Sequence, residues 1–233
     1  MDDCYLKEFE ADVTSVSDNG KYIVLDKSAF YPNSGGQPND TGVIIRNGEA
    51  FNVVFVAKVD GIISHEVDRP GLKTGDKVVG KIDWDRRYLF MRYHTASHIL
   101  SGLINRETGA EITGNQIAAD KTRIDFDVEH FDKDMLKEYE KKANEIINEG
   151  RDVILKMLPR EEAIKIPSIF KLAKGFPDAI KVLRVVEIEN FDQQACGGTH
   201  LKNTKEIGGI EITKTENKGK SNRRLYFVLK GGV

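Results

Sequence analysis

Four side chains able to bind a metal fall into two matched pairs. His94 and His98 stand four apart in the run HTASH, and Cys196 and His200 four apart in CGGTH. On a helix, a spacing of four stacks both imidazoles on one face, with Cβ atoms ~5–6 Å apart, within reach of a single ion. In the second pair, Gly197 and Gly198 let the backbone turn tightly enough for the flanking side chains to converge. Three imidazoles and a thiolate are a nitrogen-and-sulfur set that favours zinc over magnesium or calcium. The expectation is one zinc ion per chain. Four protein ligands fill a tetrahedron, the habit of structural zinc, whereas catalytic zinc keeps a position open; the sequence leaves both readings standing. Thr95 follows His94 where an HExxH peptidase carries its glutamate, so that chemistry is excluded. The two other histidines, His65 and His130, sit among charges and read as surface residues.

The elements that must carry these groups show in the periodicity. The chain has 233 residues, 39% hydrophobic and 31% charged, enough for one sizeable core or two small ones. Up to about residue 85 short β-branched runs (9–16, 22–25, 42–46, 51–58, 62–66 and 71–79) alternate with Asn-Gly and Asp-Gly turns. That pattern predicts a small barrel. From Trp84 to Thr108 the apolar spacing is helical, and a second helix is predicted from a cap at Asp132 to a stop at Gly150. Strands are expected over 121–128, 153–158 and 182–188, a helical turn over 161–164, and two last strands over 207–215 and 224–229, flanking a basic loop. The class is α+β: a β-barrel domain over 1–86 with a glycine-rich loop, then an α/β two-layer domain over 87–233 with a mainly antiparallel sheet.

That glycine-rich loop is AFYPNSGGQPNDTG, residues 29–42. Within it Ser34, Gly35, Gly36 and Gln37 read as bare backbone amides followed by an amide side chain, able to approach a ligand closely. It lacks the lysine of a P-loop. The formal charge of −2 excludes a uniformly basic coat, yet 202–233 holds eight bases against three acids. Lys218, Lys220, Arg223 and Arg224 therefore read either as a phosphate-contacting patch or as a solvated turn. No apolar run approaches the ~20 residues of a membrane span, the first ten residues carry acids, and two cysteines make no disulfide framework, so a cytoplasmic setting is expected.

In order and spacing, AFYPNSGGQPNDTG, HTASH, RIDF (123–126) and CGGTH resemble the editing half of alanyl-tRNA synthetase and its free-standing relatives, the AlaX proteins of medium length. The resemblance covers nearly the whole chain. It implies a zinc-dependent deacylase acting in trans on mischarged tRNA(Ala), chiefly seryl and also glycyl, with no obligate protein partner. It makes His94, His98, Cys196 and His200 zinc ligands and assigns Gly35, Gly36 and Gln37 to the editing motif. The residue that reads the serine hydroxyl would lie within 113–116, with Thr113, Asn115 and Gln116 as candidates, and Ser97 stands where relatives carry a small or hydroxylated residue. Amides at Gly197 and Gly198 would steady an oxyanion, with Ser97 a further catalytic candidate; between Asp125 and Asp192 no general base is chosen. A synthetase pocket shaped for alanine rejects glycine by only ~1–3 kcal/mol and a hydroxyl-bearing isostere weakly, whereas a pocket that pairs with a serine hydroxyl disfavours alanine by ~10⁴-fold. Rival readings are a seryl-tRNA deacylase of the threonine system, a non-catalytic zinc-stabilised RNA-binding module, and a small-molecule zinc amidohydrolase.

Overall fold

A computed structural model describes residues 3–175 and 177–231. Its contacts divide the chain into two compact units, Met1–Leu89 and Phe90–Val233.

The first unit is a closed six-stranded antiparallel barrel. Its strands are β1 (Glu8–Val16), β2 (Tyr22–Leu25), β3 (Gly42–Arg46), β4 (Glu49–Val59), β5 (Ile62–Val67) and β6 (Lys77–Ile82), in the order β1-β2-β5-β4-β3-β6. Strict alternation sets the faces: Phe9, Ala11 and Val13 of β1 point inward, with Ile23, Ile44, Phe51, Val56, Val67 and Val78 completing the core, while Glu8, Glu10 and Asp12 meet water. The last strand begins later than its sequence implies, because Lys73–Asp76 forms a turn that closes on the Asp76 amide.

His65 corrects the sequence reading. It is fully buried in the barrel, not on the surface. Its Nδ1–H donates to the Ile23 carbonyl at 2.9 Å and its Nε2 lies 2.7 Å from the Ser28 hydroxyl, so both nitrogens are satisfied, and burial favours the neutral ring. Its edge meets the Phe30 ring, with centroids 5.5 Å apart. His130 is exposed, as expected.

The glycine-rich loop is a tight hairpin. Gly35 and Gly36 have φ of +59° and +82°, a conformation that favours glycine at both central positions of a two-residue turn. Ser34 and Gln37 exchange backbone hydrogen bonds of 2.9 and 3.2 Å across it, so their amides are not bare. Gln37 is buried, and Gly35 stands exposed at the tip.

The second unit builds on α1 (Trp84–Thr108), whose first turns belong to the first unit. It continues with β7 (Ile112–Ile117), β8 (Thr122–Phe126), α2 (Lys133–Glu149), β9 (Val153–Pro159), α3 (Arg160–Ala163), β10 (Val182–Ile188), β11 (Asp192–Ala195), a 3-10 turn at Thr204–Ile207, β12 (Ile210–Gly219) and β13 (Asn222–Leu229). The expected single sheet is two: an antiparallel β12-β13-β8-β7 sheet and a three-stranded β11-β10-β9 sheet. Helix α2 starts where its cap predicts. The Asp132 carboxylate accepts from the Asp134 and Met135 amides at 2.9 and 2.8 Å, and Gly150 ends the helix at φ +70°. Tyr139, Ala143, Ile146 and Ile147 form its buried face. Phe227 of β13 lies in the core beside Tyr93 of α1, with ring centroids 5.8 Å apart.

Candidate metal centre

The two ligand pairs meet. The ligand atoms of His94, His98, Cys196 and His200 all lie within 4.8 Å of one another, in the second unit. Cys196 Sγ is 3.4 Å from Nε2 of both His94 and His200. Zinc with nitrogen at ~2.0–2.1 Å and sulfur at ~2.3 Å on a tetrahedron needs a sulfur–nitrogen separation of about 3.6 Å, so the spacing fits that ion. The three histidines are buried and Cys196 is half-buried. Burial, and after it the positive charge of Arg184, pushes the His94 imidazole down to about 3. Burial comes first also for His98 and His200, which are held well below the ordinary histidine value. All three rings are therefore neutral at physiological pH, the form that offers a lone pair to a cation.

Two of the ligands, His200 and Cys196, have supports that motif reading missed. The His200 Nδ1 lies 3.2 Å from the buried Thr95 hydroxyl, which also accepts from the Leu201 amide at 3.2 Å; this leaves Nε2 of His200 facing the cluster. Arg184 of β10 holds the CGGTH turn, its Nη1 donating to the carbonyls of Cys196 at 2.9 Å and Gly198 at 2.8 Å. The Gly198 amide donates to Cys196 Sγ at 3.3 Å, which favours the thiolate. Thr95 sits inside HTASH and was open to view; Arg184 gives no sign in the sequence that it lies under the turn.

The remaining predicted residues separate. Ser97 is buried and its hydroxyl donates to the Tyr93 carbonyl at 2.8 Å, one helical turn back. Thr113, Asn115 and Gln116 lie on β7. Asn115 pairs with the buried Ile124, while Gln116 pairs with Arg123 and accepts from its Nε at 3.1 Å, so the two amides take opposite faces. Gly35, Gly36 and Gln37 belong to the barrel unit. Asp125 is gripped by Arg224 at 2.6 and 2.8 Å and by Arg123 at 2.9 Å; Asp192 is paired with Lys171 at 3.1 Å.

The basic segment is a hairpin and not a long loop. Lys218 is the last residue but one of β12, Lys220 sits at the turn, and Arg223 and Arg224 follow Asn222 at the start of β13. The Asp125 carboxylate fixes Arg224 and holds its guanidinium above the ordinary arginine value. Arg223 donates to Asn217 Oδ1 and the Gly219 carbonyl within the hairpin. Among the described residues no helix is long and apolar enough to cross a membrane.

Comparison with known proteins follows the division of the chain. Residues 4–86 match the family of class II (A) tRNA synthetases, and residues 183–226 match the second additional domain of threonyl and alanyl tRNA synthetases. An alanine–tRNA ligase of Pyrococcus abyssi is 44% identical over 232 residues, which cover 97% of this chain and 25% of the ligase. The alanyl-tRNA editing protein AlaX-M of Methanosarcina barkeri is 55% identical over 234 residues, 97% of this chain and 96% of that one. That of Saccharolobus solfataricus is 48% identical over 233 residues, covering 99% and 97%. Matched from end to end by such relatives, the chain belongs to the AlaX-M family of alanyl-tRNA editing proteins.

Proposed function

We propose that the chain is a zinc-dependent deacylase that hydrolyses seryl-tRNA(Ala), and glycyl-tRNA(Ala) after it, in trans and in the cytoplasm. The observation that carries this reading is the convergence of His94, His98, Cys196 and His200 at tetrahedral spacing in a chain of the AlaX-M family. When bound, zinc supplies Lewis acidity beside the ester carbonyl.

The chain's own groups do the rest. Thr95 and Arg184 orient the His200 ring and the CGGTH turn. The Gly198 amide is already directed at Cys196 Sγ, so oxyanion support falls to Gly197. The Ser97 hydroxyl donates a hydrogen bond to the Tyr93 main-chain carbonyl, so Ser97 serves as a small neighbour of the ligands, not as a nucleophile. Neither Asp125 nor Asp192 acts as general base, because cations hold both carboxylates. On β7 either Asn115 or Gln116, with Thr113, reads the serine hydroxyl; their opposite faces allow only one of the amides to do so. Gly35, Gly36 and Gln37 present a rigid hairpin tip to the acceptor end. Lys218, Lys220 and Arg223 contact tRNA phosphates, with Arg224 bracing the hairpin through Asp125.

The test is hydrolysis of seryl-, glycyl- and alanyl-tRNA(Ala) side by side, with and without chelator. Seryl-tRNA should be cleaved fastest and alanyl-tRNA spared. Cys196→Ala should remove both the metal and the activity. Equal cleavage of seryl-tRNAs bearing alanine or threonine identity would move the assignment to the threonine system. Metal-replete, tRNA-binding protein without hydrolysis would leave a structural zinc module.

A further inference from the structure

The ligands come from two elements whose relative register must be fixed: α1 carries His94 and His98, and β11 runs directly into Cys196. Beside the Thr95 contacts to His200 and Leu201 and the Arg106 contact to the Phe191 carbonyl, the Gln194 side chain joins them next to the ligands themselves. Gln194 is 4% exposed, and its Nε2 donates to the His98 carbonyl at 3.0 Å and to Asp192 Oδ2 at 2.6 Å. Ser101 closes the group, its Oγ 3.2 Å from the His98 carbonyl and 3.4 Å from Gln194 Oε1. Asp192 in turn meets the buried Lys171, which also donates to the Ser168 carbonyl at 2.9 Å. The Lys171 backbone is pinned to β7, its carbonyl accepting from the Ile112 amide at 2.6 Å.

We propose that Gln194 is a positioning residue for the metal centre, locking α1 in register with the strand that delivers Cys196, and that the Lys171–Asp192 pair fixes which way its amide faces. A flipped amide would turn its oxygen toward the Asp192 carboxylate and the His98 carbonyl, three acceptors with only the Ser101 hydroxyl, 3.3 Å away, to donate among them. The buried ammonium of Lys171, 3.1 Å from Asp192 Oδ1, holds that carboxylate in place, so one amide orientation is favoured. The lock holds the backbone of one ligand and stands two residues from another, so its loss acts on ligand geometry before it acts on the rest of the fold. This inference rests on the metal reading given above.

Cobalt(II) serves as probe, because its visible spectrum reports tetrahedral geometry and thiolate ligation. Wild-type, Gln194→Met, Gln194→Glu and Asp192→Asn proteins are titrated with cobalt, competed with chelator, and unfolded in urea without metal. Gln194→Met should bind cobalt 10–100-fold more weakly, the usual cost of losing a partner that orients a ligand, and with an altered spectrum. Gln194→Glu should be weaker still, since it sets a carboxylate against Asp192. Asp192→Asn keeps the shape but releases the amide, and should lose affinity in the same direction to a smaller extent; it decides the matter if the Gln194 variants do not fold. Wild-type affinity and spectrum in Gln194→Met would overturn the inference. So would an affinity loss that only tracks a lower metal-free urea midpoint with an unchanged spectrum. Failure of the wild-type protein itself to bind cobalt would bring down the metal reading beneath it.

Discussion

Arg87 and Asp40 form an ion pair wholly removed from solvent, the Arg87 Nε reaching both carboxylate oxygens at 2.9 and 3.0 Å. The pair governs the glycine-rich segment. Asp40 accepts from the Tyr31 amide at 2.5 Å and returns its own amide to the Tyr31 carbonyl at 3.0 Å, so both ends of the hairpin are tied at one point. The Arg87 Nη2 also donates to Asp40, and Nη1 and Nη2 donate to the carbonyls of Cys4 and Ala29 at 2.9 and 2.6 Å. A buried charge left without its partner costs about 3–5 kcal/mol. Arg87→Met should therefore lower unfolding free energy by that amount, measured by urea denaturation. A loss under about 1 kcal/mol would mean the pair is solvated or replaceable.

The hairpin tip carries a second expectation. A side chain with a Cβ at φ +82° costs roughly 1–2 kcal/mol, and asparagine tolerates this region better than branched residues. Gly36→Val should be destabilised by about that much, and Gly36→Asn by clearly less. Equal thermal midpoints for the two variants would contradict the turn geometry.

His65 gives the barrel a pH dependence of known sign. Burial lowers its pKa below the ordinary value of 6.5, outweighing the hydrogen bond to Ile23, which acts the other way. The unfolded chain thus takes up a proton at higher pH than the folded one. The stabilisation is complete above the unfolded value and is lost as pH falls below it toward the folded value. Wild-type protein should lose urea midpoint between about pH 7.5 and about pH 5 more steeply than His65→Gln. Parallel profiles would show that His65 does not contribute.

Thr95 should matter to the metal more than to the fold. Thr95→Val keeps the shape and removes the acceptor for the His200 Nδ1–H. Metal affinity should drop by about 10–100-fold, read by chelator competition. Unchanged affinity would show that the ring is oriented by packing alone.

The hairpin bases are separable by salt. Lys218→Ala with Lys220→Ala should reduce the slope of log affinity for tRNA against log salt by about 2. Arg224→Ala should instead destabilise the sheet, since its guanidinium is spent on Asp125. A slope unchanged by the lysine pair removes the hairpin from the interface.

Local signals made much of this molecule readable. The heptad-like spacing along 84–108, the Asp132 cap and the Gly150 stop gave both long helices nearly to the residue, and residue spacing alone brought the metal quartet into view. Two strands escaped. Ile112–Ile117 contains Thr-Gly-Asn-Gln and Asp192–Ala195 reads Asp-Gln-Gln-Ala, compositions of a loop, and both become strands by pairing with β8 and β10. His65 was misread from its charged neighbours, although its place between Ile63 and Val67 in an alternating run marked it as inward. The supports of the metal ligands were invisible for a different reason: Gln194 meets Ser101 across 93 residues and Thr95 meets His200 across 105, distances that only a folded chain spans.

The separation of the ligands also has a consequence during synthesis. His94 precedes Cys196 by 102 residues, so a chain emerging from the ribosome exposes half of the metal centre long before the other half exists. Once bound by all four, a cation would act as a reversible staple across that span, restricting the unfolded ensemble much as a disulfide closing a loop of ~100 residues does, by roughly 4–5 kcal/mol in the chain-entropy limit. Depleting the cell of that cation would then loosen the protein.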